Sequence, residues 1–232
     1  MSDGLHCRIN QVLALIAIIF LLSSCAPKMV SKGRLYPLMY EEAPVAILIL
    51  PPMNESTAAD AKEYYSTTIT EPLSYWGYYV LPYEMTSELL KMEGIYDTEL
   101  LRNTPLTKFR EYFGADAVMF TTIKQWNLVY AVLAANLTVS IEFELKSTKS
   151  DQTLWKRTGT VVVDLSGGST GSGIGGLIAK AIITAANSAA ADYVPHARTA
   201  NFRALRPLPY GKYHGMFNKD QEQLFSEGVQ RY

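Results

Sequence analysis

The sequence predicts an α/β domain: a single mixed sheet with flanking helices, a late antiparallel hairpin and a C-terminal tail. Three observations predict it. Val45-Ala46-Ile47-Leu48-Ile49-Leu50 is an unbroken apolar run of strand length closed by Pro51-Pro52, as expected for a strand buried on both faces. Helical stretches then alternate with further apolar runs, which favours parallel pairing. Later, Val139, Ile141, Phe143 and Leu145 alternate with Ser140, Glu142 and Glu144, the period of a half-buried strand with an acidic outer face.

The elements follow in order. Asn54-Glu55-Ser56-Thr57 is polar and suited to capping a helix over about 58–75, interrupted late by Pro72 and stopped by Gly77. Tyr78–Leu81 reads as a second strand, and 86–92 as a polar helix ended by Gly94. Residues 104–113 form a further helix, with Pro105 at its first position and Gly114 at its C-terminal stop. Residues 117–123 make a third strand. Ser147–Asp151 is a turn, and 154–165 is the return strand of a hairpin. In that strand Gly159 is expected as a bulge, with Lys156 and Arg157 near the glutamates across the ladder. A helix of small residues spans about 174–193, serving either packing on the sheet or a face for a partner or a second copy.

The chain ends divide into separate regions. Arg8 precedes an 11-residue apolar run, Val12–Leu22, of signal-peptide length and too short to cross a bilayer at about 20 residues. Leu22-Ser23-Ser24-Cys25 then resembles the lipobox of bacterial lipoproteins. That resemblance implies removal of residues 1–24, diacylation of the Cys25 sulfur and acylation of its new amine, so that the membrane is reached through a lipid anchor. The absence of Asp beside Cys25 favours, by the same resemblance, the outer membrane, facing the periplasm. Residues 25–44, with three prolines and no period, read as a tether, and 45–194 as the core domain. The tail, 195–232, is too aromatic for plain disorder. It reads either as a strap across the core or as a docking arm in which Arg203, Arg206, Tyr210 and Tyr213 supply contacts.

Composition excludes several classes. The formal net charge is −1, without the basic excess of a nucleic-acid binder. The lipobox resemblance implies that Cys7 leaves with the signal peptide and that Cys25 carries lipid, which would leave no thiol for a disulfide, a nucleophile or a metal. Two remaining histidines, His196 and His214, are a poor start for a zinc site, and no cofactor is expected.

Two motifs overlap in DLSGGSTGSGIGGLIAKAI, residues 164–182. Gly171, Gly173 and Gly176 spell the dinucleotide fingerprint, but the strand before them belongs to a late hairpin rather than opening a βαβ unit. Gly167, Ser169 and Gly171 spell a nucleophile elbow, with Asp192 and His196 following in hydrolase order. Two more glycines separate Ser169 from the helix, and no oxyanion segment appears upstream. A serine hydrolase centred on Ser169 is therefore the alternative, alongside a small-ligand binder for glycan or lipid that uses the aromatic positions.

VAILILPPMNES, then a helix, YYVLPY, FGADAVMFTTIKQW and a hairpin together resemble a family of bacterial lipoproteins typified by a neisserial surface antigen. The wider pattern is similar to the N-terminal domain of TolB and the periplasmic domain of the curli-secretion channel lipoprotein, where a strand ending in Pro and a nearby Asn open the domain, as Pro51, Pro52 and Asn54 do here. The resemblance implies a non-enzymatic accessory of an envelope assembly, with other envelope lipoproteins as partners. Asn54, Ser56 and the tail residues are its candidate contacts.

Overall fold

The computed structural model describes residues 29–131, 134–164 and 193–226. The lipobox, Cys25, the glycine motifs with Ser169 and Asp192, and most of the expected small-residue helix lie outside them.

Five strands form the path of the main sheet, in the order β4 (Tyr79–Val80), β2 (Ala46–Ile49), β5 (Ala117–Ala131), β6 (Ala134–Ser147) and β7 (Thr153–Asp164). A short β3 (Met53–Asn54) runs beside β5. Pairing is parallel among β4, β2, β3 and β5 and antiparallel from β5 to β7. The expected mixed sheet is thus observed, with strands longer than their apolar cores: β5 and β6 extend past residues 123 and 139 as a paired ribbon.

The apolar run around residue 48 is explained by two separate cores. Ile47 and Ile49 enter one cluster, Leu48 and Leu50 the other, and all four are fully buried. The first cluster is closed by α3 (Ala61–Ser66), α4 (Thr70–Tyr75) and α7 (Val194–Leu205). The second is closed by α5 (Tyr83–Met92), a 3₁₀ turn (Thr98–Leu101) and α6 (Thr107–Phe113), through Leu90, Leu101, Leu106 and Phe109. Among the described residues, the half of the sheet holding β6 and β7 is covered on one face only. Its other face carries Glu142 and Glu144, with Lys156 3.4 and 3.8 Å from their carboxylates.

Several expectations change. The helix predicted over 58–75 is two helices, and Pro72 sits in the first turn of α4, where its missing N–H costs nothing. The helix after Pro105 begins at Thr107, while Gly114 ends it in the left-handed region, φ 68°, as predicted. Gly159 is no bulge: it pairs in register with Ile141, and the slips fall at Ile123/Gln125 and Leu145/Lys146. A Cβ on Gly159 would stand 2.6 Å from Ala204 Cβ and 2.8 Å from Ala200 O, so glycine is there to let α7 lie on the strand. Arg157 faces the helix side rather than the glutamates, because alternation sends neighbouring side chains to opposite faces, and its Nη1 donates to Tyr36 Oη at 3.3 Å.

The chain ends are corrected most. The region read as tether forms β1 (Met29–Ser31), α1 (Lys32–Leu35) and α2 (Pro37–Glu42). The tail begins as α7, whose Ala197, Ala200, Ala204 and Leu205 belong to the core, as does Leu208 beyond it. The core therefore does not end at 194. The tail continues to β8 (Leu224–Ser226), antiparallel to β1, so the two ends of the described chain are tied together.

Candidate functional site

Two of the predicted contact residues lie at the C-terminal end of α7. Arg203 and Arg206 are exposed on its last turn and the residue after it, and they line two clefts. One cleft, of about 330 Å³, is lined by Trp76, Arg198, Thr199 and Phe202 together with these two arginines. The other, of about 200 Å³, opens between Arg157, Gly159 and the β1–β8 ribbon, with Met29, Leu224 and Phe225 along its wall.

Aromatic rings form the floor of the first cleft. Trp76 lies 6.0 Å from Phe202, and Tyr75 touches both, 5.6 and 6.0 Å between centroids. Tyr210 stacks beneath Trp76 at 6.3 Å and on His214 at 3.9 Å. Local chemistry fixes Trp76: Gly77 follows it at φ +86°, and the backbone of residues 211–214 presses against that turn, with Gly211 N donating to Trp76 O at 2.9 Å. A side chain at Gly77 would meet His214 N at 2.4 Å. Trp76 is 7% exposed, and its buried indole N–H has no acceptor among the described residues. Arg198 is held at the rim by Glu71, 3.2 Å away.

A buried clasp lies behind the second cleft. Lys32 and Asp220 are both fully buried, and Nζ stands 2.7 Å from Oδ2. Lys32 also donates to Leu208 O at 3.3 Å and lies over the rings of Tyr210 and Phe225. Tyr40 Oη and Tyr210 N donate to the same carboxylate at 3.0 and 3.2 Å. Burial lowers the Lys32 pKa against the opposing pull of Asp220, and burial raises that of Tyr40, reinforced by the carboxylate. Tyr78, fully buried, donates to Pro209 O, and its pKa is raised by burial.

The other predicted residues are placed as follows. Tyr213 is 69% exposed, with its N–H on Gly77 O, so its ring lies at the surface beside the aromatic floor. Asn54 and Ser56 form a closed loop of their own: Asn54 Oδ1 accepts from Ser56 N and Oγ, and its Nδ2 donates to Ala58 O at 2.6 Å. Their polar atoms are spent on shaping the start of the helical region rather than offered outward. His196 is half-buried in the first turn of α7. Its hydrolase partners Ser169 and Asp192 lie outside the described residues. Among the described residues no cluster of His, Cys, Asp and Glu has the makings of a metal site, and no helix is long and apolar enough to cross a membrane. Sequence reasoning missed Trp76, Lys32 and Asp220. Tyr75-Trp76-Gly77, large rings before a stop, is a signal for the first. Nothing local marks the other two.

The family described as "Putative lipoprotein GNA1162-like" matches residues 36–215, most of the chain. The chain belongs to this family. Among GNA1162-like lipoproteins, it is 27% identical over 176 residues to "Putative lipoprotein NMB1124/NMB1162" of Neisseria meningitidis serogroup B, covering 75% of this chain and 81% of that protein. The crystal structure of lipoprotein GNA1162 from Neisseria meningitidis is 26% identical and covers 63% of this chain and all of that one, at a TM-score of 0.51. The PelC dodecamer from Paraburkholderia phytofirmans is more distant, 14% identical at a TM-score of 0.44, covering 81% of this chain and 98% of that one. The family and the fold expected from the sequence are therefore those observed.

Proposed function

We propose that this GNA1162-like lipoprotein is a non-enzymatic accessory subunit of an envelope secretion or assembly complex. It is anchored through lipid on Cys25 at the outer membrane and faces the periplasm. The observation that carries the reading is the cleft of Trp76, Phe202, Arg198, Arg203 and Arg206. Aromatic rings beside arginines on a rigid helix are the composition of residues that dominate binding energy at protein interfaces. Its partner is another envelope lipoprotein, with the channel-forming kind related to curli secretion as the first candidate.

A photoreactive residue placed at Thr199, which lines the cleft, tests this against one at Thr107, exposed on α6 of the opposite face. A discrete adduct with one envelope lipoprotein from Thr199 alone, lost with Phe202→Ala, is the expected outcome. Equal labelling from both positions removes the assignment of the cleft.

A further inference from the structure

We infer that the second cleft, bounded by Arg157, Arg203 and Arg206, faces the anchoring membrane and takes the phosphate of an anionic phospholipid headgroup. The inference rests on the lipid anchor at Cys25 proposed above. Four residue steps separate Cys25 from Met29, the first residue of β1 and part of the cleft wall, and an extended chain covers roughly 14 Å in that distance. The cleft is therefore held within a headgroup layer's reach of the bilayer, whatever the rest of the domain does.

The chemistry of the rim suits that position. Three arginines line the opening, and Arg206, exposed just after α7, carries a guanidinium able to form paired hydrogen bonds to phosphate oxygens. Thr158 and Thr160 of β7 add hydroxyls to the lining. Met29 and Leu224 stand at its wall, 52% and 59% exposed, apolar side chains suited to the boundary between headgroups and acyl chains. The buried Lys32–Asp220 pair lies behind and stiffens the ribbon that carries them, since Lys32 N donates to Gln223 O at 2.8 Å. Arg203 and Arg206 also border the aromatic cleft, so a headgroup bound on one side would fix the orientation in which the other side meets a partner on the same membrane.

The test uses the lipidated full chain in phosphatidylcholine vesicles, with or without about one-third phosphatidylglycerol, and reads amide hydrogen exchange. Exchange across residues 158–160 and 203–207 is expected to slow at least about threefold with phosphatidylglycerol and to recover as salt is raised. Arg206→Glu should abolish the slowing while attachment and circular dichroism stay unchanged, and the milder Arg206→Gln should reduce it. Identical exchange in the two vesicles overturns the inference. Equal slowing by millimolar inorganic phosphate on phosphatidylcholine vesicles overturns the headgroup as the occupant. The mass of the N-terminal peptide reports the anchor separately. A Cys25→Ser chain that still sediments with phosphatidylglycerol vesicles, and not with phosphatidylcholine alone, supports the cleft even where the anchor is absent.

Discussion

The sheet core and the terminal clasp hold the same domain together by opposite means. The core around β2 and β5 is apolar on both faces: Ile47, Leu48, Ile49 and Leu50 contribute no accessible surface, and each buried side chain of this kind adds about 1.5–3 kcal/mol. The clasp buries a charge pair, Lys32 and Asp220, with a phenol and a backbone N–H on the carboxylate. Taking two charges out of water costs much of what their attraction returns, so such a pair specifies which segments meet more than it stabilises their meeting. The core makes the domain; the clasp decides that the segment of residues 29–42 closes onto the tail.

The comparison is broken most sharply by single changes. Asp220→Ala leaves Lys32 buried and uncompensated and is expected to cost about 3–5 kcal/mol in urea unfolding. The double change Lys32→Met with Asp220→Leu should recover most of that loss, whereas Phe143→Ala in the core, costing about 3–5 kcal/mol, has no polar rescue. If the double variant is no better than the single, the clasp contributes net stability and the contrast fails.

A smaller effect is expected at the contact of α7 with β7. Gly159→Ala should destabilise by about 1–3 kcal/mol, because Ala204 and the Ala200 carbonyl block the new methyl. Ala204→Gly in the same chain should relieve part of it.

The pH dependence sharpens the contrast further. Tyr40 and Tyr78 hold their protons to higher pH folded than unfolded, so the stability they confer is full below about pH 10 and is lost as pH rises beyond it. Lys32, with its lowered pKa, acts in the opposite sense up to about 10.5, since the unfolded chain then binds more protons. The net fall in urea midpoint is therefore expected above about pH 10.5, and Tyr40→Phe should make it shallower. The smallest effect belongs to the open face of the hairpin. Lys156→Ala, half-exposed between Glu142 and Glu144, should change stability by no more than about 0.5 kcal/mol, and less at high salt.

How much was legible follows the same division. The strand of residues 46–49, the hairpin of β6 and β7 and the stop at Gly114 were readable because each rests on periodicity or on one residue's backbone freedom. Of the candidate contacts, Arg203, Arg206 and Tyr210 do gather at one corner, while Asn54 and Ser56 bind only their own loop. Trp76 was passed over because an aromatic before a glycine looks the same whether it packs inward or floors a cleft. Gly159 was misread because a strand glycine signals either a bulge or a close neighbour, and the neighbour is 45 residues away in sequence.

The sequence by itself determined the family, the mixed sheet and its two-sided central strand, since those follow from local apolar patterns that every part of the chain carries. Only the tertiary structure decided that residues 29–42 and the tail belong to the domain, and that Lys32 meets Asp220. Such pairings join positions nearly two hundred residues apart. Their signal lies in complementary charge and burial at a distance, which no window of the chain contains.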